Sequence, residues 1–93
     1  MRLREALGQI IRELRHEREW SMRTLAEKSA VSLTFISEVE RGTKEASSEV
    51  LECLANGLDV PLSQIVIEAG YRIAGINSFE IPQSELDKLL AIH

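Results

Sequence analysis

S-M-R-T-L-A-E-K-S-A-V-S-L-T-F-I-S-E-V-E-R-G, residues Ser21 to Gly42, holds two short helical patterns, Met22 to Ser29 and Leu33 to Arg41, on either side of Ala30-Val31-Ser32. Ser21 and Ser32 stand at the two N-cap positions, where a side-chain oxygen can accept from the first-turn N–H groups that every helix leaves unpaired. Trp20 with Leu25, and Val31 with Ile36, occupy the positions of a hydrophobic staple and so set the direction in which the chain enters each helix. Gly42 suits a left-handed C-cap. Leu25, Ala26, Val31, Ile36 and Val39 fall on inward-facing positions, whereas Leu33, Thr34, Ser37, Glu38 and Arg41 fall elsewhere around the second helix. A helix, a tight turn and a second helix of this size form the unit that lays its second helix in the DNA major groove. Residues 33–41 are therefore expected to be a recognition helix.

Upstream, Leu3, Ala6, Leu7, Ile10, Ile11 and Leu14 recur at three- and four-residue steps, so residues 3 to about 18 read as an amphipathic helix. Its arginines and glutamates, Arg4, Arg12, Arg15 and Arg18 with Glu5, Glu13 and Glu17, read mostly as a solvated face with i to i+4 pairs. Downstream, Ser47 can cap a helix running to about Gly57, with Val50, Leu51, Leu54, Ala55 and Leu58 as its buried stripe and Cys53 as a small core residue. Asp59-Val60-Pro61 breaks that pattern, and Leu62, Ile65, Val66 and Ala69 mark a fifth helix beginning near the proline. The fold class is all-α: five helices closing a domain over residues 1–69, followed by an extension over 70–93. Tyr71 to Phe79 reads as a linker or an imperfect continuation, and residues 85–92, capped by Ser84, can form a sixth helix that needs a partner surface.

Ninety-three residues with 44% hydrophobic content supply a small core and no enclosed catalytic cavity of ordinary size. One cysteine allows no internal disulfide, no apolar run approaches the roughly 20 residues of a membrane span, and no leader pattern opens the chain; a cytoplasmic protein is expected. The net charge of -4 hides an asymmetry. Residues 1–44 hold nine Lys or Arg against seven Glu, a balance of +2, and residues 45–93 hold two against eight acidic residues, a balance of -6. Only the basic half need face a polyanion.

With these residues in place, Leu7 to Ile67 resembles the Cro/C1-type (XRE) family of helix-turn-helix regulators. The likeness rests on L-A-E-K-S-A-V-S-x-x-x-I-S-x-V-E-R-G, then a capped helix ending A-N-G-L-D-V, then L-S-Q-I. A narrower likeness, in S-L-T-F-I-S-E-V-E-R-G-T-K-E-A-S-S-E-V-L and V-P-L-S-Q-I-V-I-E-A-G, is to ClgR-type regulators of Clp protease genes. The resemblance implies a lambda-repressor-like fold and a homodimer on double-stranded DNA with two-fold-related half-sites. Carried over position by position, it places Leu33, Thr34 and Glu38, with Ser37 beside them, at base edges. Thr34 can donate, accept or offer a methyl, Glu38 can accept from cytosine N4, and Leu33 can touch a thymine methyl. Ser21, Arg23, Ser32, Phe35, Arg41 and Lys44 are the expected DNA-backbone contacts. Met22 departs from the pattern, since a phosphate-binding glutamine is frequent there. Arg15 and Glu40 match a pair that bridges the first and third helices in this family.

Other functions leave weaker traces. His16 and His93 are the only histidines, and no metal-spaced Cys/His cluster or phosphate-cradling glycine loop occurs, so no enzyme, metal site, cofactor or small-molecule ligand is expected. The rival reading is an antitoxin-like interaction module whose acidic half holds another protein; restriction-modification controllers and phage repressors are rivals within the DNA-binding class. A dimer interface is expected from Ile65 onwards, through Ile73, Leu86, Leu89 and Leu90, because this stretch carries more apolar side chains than one helix can bury.

Overall fold

Serines begin three of the helices. The hydroxyl oxygens of Ser21, Ser32 and Ser47 accept from the backbone N–H of Thr24 at 3.1 Å, Phe35 at 3.1 Å and Val50 at 3.3 Å. The computed structural model describes residues 1–75, which fold into α1 (Leu3–Glu17), α2 (Met22–Ser29), α3 (Leu33–Glu40), α4 (Ser48–Leu58) and α5 (Leu62–Ala74). The expected sixth helix, with Leu86, Leu89 and Leu90, lies outside the described residues. No single described helix is long and apolar enough to cross a membrane.

α1 packs against α3 and α5, while α2 packs against α4 and α3. Their shared core contains Leu7, Ile10 and Ile11 of α1, Leu25 of α2, Ile36 and Val39 of α3, Leu51, Leu54 and Leu58 of α4, and Ile65 and Ala69 of α5. Two helix pairs approach closely enough to need glycine. A Cβ on Gly8 would lie 2.2 Å from the Val39 carbonyl oxygen, and one on Gly57 would lie 2.9 Å from Ser29 Cα. The end of α3 is closed by Gly42 at φ 72°, whose N–H donates to Val39 O, while Thr43 N–H donates to Glu38 O. That pair of hydrogen bonds satisfies the last carbonyls of α3.

Several expectations change. Cys53 is exposed, because Leu51, Leu54, Ala55 and Leu58 form the buried stripe and residue 53 projects to its side. Leu3 is exposed at the first position of α1, ahead of the buried stripe that begins at Ala6 and Leu7. Of the two readings of the stretch from Tyr71, linker or continued helix, the described residues follow the second as far as Ala74, and α5 ends at Gly75. The charges of α1 form no i to i+4 pair among the described residues, and instead tie α1 to other elements. Arg18 donates to Leu14 O at 2.9 Å and to Leu58 O at 2.6 Å, so it satisfies a terminal carbonyl of α4 rather than facing water.

Arg72 of α5 holds both oxygens of Glu13 on α1, and its Nε also donates to Glu68 at 3.3 Å. Hydrogen bonding to Arg72 outweighs the opposing effect of burial and holds the Glu13 carboxyl below its ordinary 4.5. A carboxylate depressed in the folded state contributes stability above its unfolded pKa and loses it as pH falls through the folded one. Glu13→Gln is thus expected to lower the thermal midpoint at pH 7, with the gap to the unmodified protein closing in titrations below pH 4.5. A gap that persists unchanged at pH 3 would mean the carboxylate charge is not what pins α5 to α1.

Candidate nucleic-acid interface

α3 buries Ile36 and Val39 against the core, and that anchoring turns Leu33, Thr34, Ser37, Glu38 and Arg41 towards one outer surface. Leu33 and Thr34 at its N-terminal end are exposed; Ser37 and Glu38 one turn later are half-buried. All four expected base contacts therefore share a face. Ser32 keeps its hydroxyl hydrogen available although its oxygen caps the helix. Phe35 is half-buried and, with Val31, Val50 and Cys53, lines an apolar depression beside the helix start. It packs rather than projects.

Two cations frame this surface. Arg41 is exposed, and its Nε donates to Ser37 O at 3.2 Å, which aims the free edge of the guanidinium outward. Lys44 turns back over α3, with its ammonium 3.8 Å from Glu38 Oε2 and 5.4 Å from the Phe35 ring centroid. Part of the Glu38 charge is therefore already offset. Across the motif, Ser21 caps α2 and Arg23 is exposed on its first turn, where unpaired N–H groups and the positive end of the helix dipole favour an anion.

The orientation of α3 is fixed from below. Arg15 Nε and Nη2 donate to the two oxygens of Glu40, each at 2.8 Å, and Arg15 Nη1 donates to Trp20 O at 2.8 Å. One guanidinium thus ties the end of α3 to α1 and to the residue before the α2 cap. Both partners are nearly dry, with side chains 10% and 5% exposed. The bond to Glu40 raises the Arg15 pKa above its already high ordinary value, so the charge is permanent.

The profile of helix-turn-helix proteins matches residues 11–65, which takes in α2, α3 and the elements that hold them. The chain belongs to the helix-turn-helix family. Its motif is of the XRE type, and its fold matches solved regulators of that type. It is 40% identical over 72 residues to the transcriptional regulator ClgR of Mycobacterium tuberculosis, an alignment that covers 77% of this chain and 64% of that protein. The chain therefore matches somewhat less than two thirds of that relative's length. The crystal structure of the clp gene regulator ClgR from Corynebacterium glutamicum superposes with a TM-score of 0.74 at 38% identity, covering 97% of this chain and 92% of that one. The restriction-modification controller C.AhdI from Aeromonas hydrophila superposes with a TM-score of 0.65 at 32% identity, covering 67% and 94%.

This helix-turn-helix domain differs from expectation at one named interface residue. Ile65 has no exposed surface and belongs to the core, because it sits on the inner face of α5. It is not available to a second molecule. The outer face of α5 instead exposes Val66, Ile67 and Ile73. Reading the sequence also passed over Gly8 and Gly57. A glycine inside an otherwise apolar-periodic helix is itself a signal of close packing, and both lie in such patterns.

Proposed function

We propose that this protein is a sequence-specific transcriptional regulator that binds double-stranded DNA in the cytoplasm as a homodimer on a palindromic operator, with α3 in the major groove. The observation that carries this reading is the outer face of α3, where Leu33, Thr34, Ser37 and Glu38 lie together between Arg41 and Lys44 on a helix locked by the Arg15–Glu40 pair. Such an arrangement supplies base-edge chemistry in the middle and phosphate chemistry at the margin. One recognition helix covers only a few base pairs, and two must sit about 34 to 36 Å apart to read successive turns of one site. The exposed apolar residues Val66, Ile67 and Ile73 of α5 are the surface assigned to the two-fold contact.

Selection of bound duplexes from a random pool tests the whole reading. A palindrome with half-sites one helical turn apart is the expected product. Thr34→Ala and Glu38→Ala should each cost about 1 to 3 kcal/mol on the selected duplex and relax preference at one base pair per half-site. Enrichment of an asymmetric single site would remove the dimer, and no enrichment would remove sequence-specific binding.

A further inference from the structure

α1, α2 and α3 meet around a concavity of about 250 Å³ lined by Arg12, Arg15, Met22, Ser37, Glu40 and Arg41. Three cations and one carboxylate line it. Arg15 and Glu40 spend their charges on each other at 2.8 Å, which leaves Arg12 and Arg41 as the net charge of the site. Arg12 is exposed and has no ion-pair partner among the described residues. Arg41 is already oriented, since its Nε is held by Ser37 O and its two terminal nitrogens remain to donate. Two guanidinium groups so placed offer planar, multiply donating edges of the kind that suits phosphate oxygens.

We propose that this concavity seats a phosphate of the DNA backbone, with Arg12 of α1 as a phosphate ligand opposite Arg41. The inference rests on the reading that α3 enters the major groove. Ser37 and Arg41 belong both to the outer face of α3 and to the lining of the concavity, so the concavity opens at the margin of the groove-facing surface. A helix in the major groove is bordered by rows of phosphates, and the concavity lies where one row passes the start of α2. Met22, the first residue of α2, contributes a thioether there and no N–H or O–H donor from its side chain. Arg12 supplies the donor and the charge from a neighbouring helix.

The test uses the full chain and two 20-base-pair duplexes, one selected from the random pool and one of unrelated sequence, titrated over a salt series. Arg12→Ala is expected to lower the slope of log affinity against log salt by about 0.9 for each bound protomer, one phosphate contact apiece and so about 1.8 for a bound dimer, on both duplexes. Arg12→Lys should keep the slope. Lys28→Ala, whose ammonium lies 5.3 Å from the Trp20 ring at the far end of α2, should leave it unchanged, and thermal midpoints check that each variant is folded. An unaltered slope in Arg12→Ala beside a reduced slope in Arg41→Ala overturns this site and leaves the groove reading standing. Failure of the unmodified protein to bind either duplex overturns the groove reading and this site with it. Inorganic phosphate added at constant ionic strength supplies the third arm. Arg12-dependent displacement of duplex is the expected result, because free phosphate and a backbone phosphate then compete for one site; phosphate that binds through Arg12 yet leaves the duplex affinity of the unmodified protein unchanged marks a free-anion site, and the assignment to DNA falls.

Discussion

Gly8→Ala is expected to be among the most damaging single changes in this protein. Alanine is the better helix former by about 1 kcal/mol, so propensity alone favours the variant. Packing reverses the sign. The added methyl would sit 2.2 Å from Val39 O and 3.0 Å from Glu40 O, and both obstacles are main-chain atoms of α3 that no rotamer change can move. α1 and α3 must separate, and overpacking of this kind costs roughly 1 to 3 kcal/mol, occasionally more. Against a total stability of about 5 to 15 kcal/mol, the loss is large. Gly70→Ala is the matching control, because Gly70 is also inside a helix but has nothing within 4 Å of the new methyl. It should gain stability up to about 1 kcal/mol. Denaturant titrations of the two variants should therefore shift in opposite directions; a shared upward shift would show that α1 and α3 are not in close contact at Gly8.

The same junction shows what sequence reading reached and where it stopped. Caps and periodic stripes are local, and they located all five described helices, the Ser21, Ser32 and Ser47 caps and the left-handed Gly42. The turn between α2 and α3 was placed too, although its left-handed residue is Ala30 at φ 59° and not a glycine. The Arg15–Glu40 pair spans 25 residues and was reached through family resemblance rather than periodicity. Contacts set by three-dimensional packing were less legible. Arg18 looked like a solvated charge because nothing within a turn of it reveals Leu58 O, and Glu13 looked like one because its partner Arg72 lies on another helix. Cys53 was misassigned because an apolar neighbourhood in sequence does not fix which side of a helix one residue takes. Ile65 looked equally suited to a core or an interface until α5 was docked on α1.

Arg15 and Glu40 provide the second large effect, and it is a non-additive one. Glu40→Leu leaves the Arg15 guanidinium, 8% exposed as a residue, with Trp20 O as its remaining partner and a charge that cannot be discarded, since the Arg15 pKa lies above its ordinary value. Arg15→Met removes both donors that the Glu40 carboxylate accepts from. Breaking a buried pair from one side costs about 3 to 5 kcal/mol, because the surviving charge stays desolvated. The double change removes both charges and fills the space with apolar atoms, so its loss should be far smaller than the sum of the singles, and stability can even rise. Additive losses in the denaturation cycle would show that the two charges are independent. DNA binding supplies a readout that stability alone does not determine. Arg15 joins Glu40 at the end of α3 to Trp20 at the start of α2, and apolar side chains lack the paired 2.8 Å bonds that hold this angle. The double variant should therefore be folded yet weaker on the selected duplex, with less loss on unrelated DNA, because base-edge contacts demand a tighter helix placement than phosphate contacts do. Full recovery of specific binding along with stability would restrict the pair to holding the fold together.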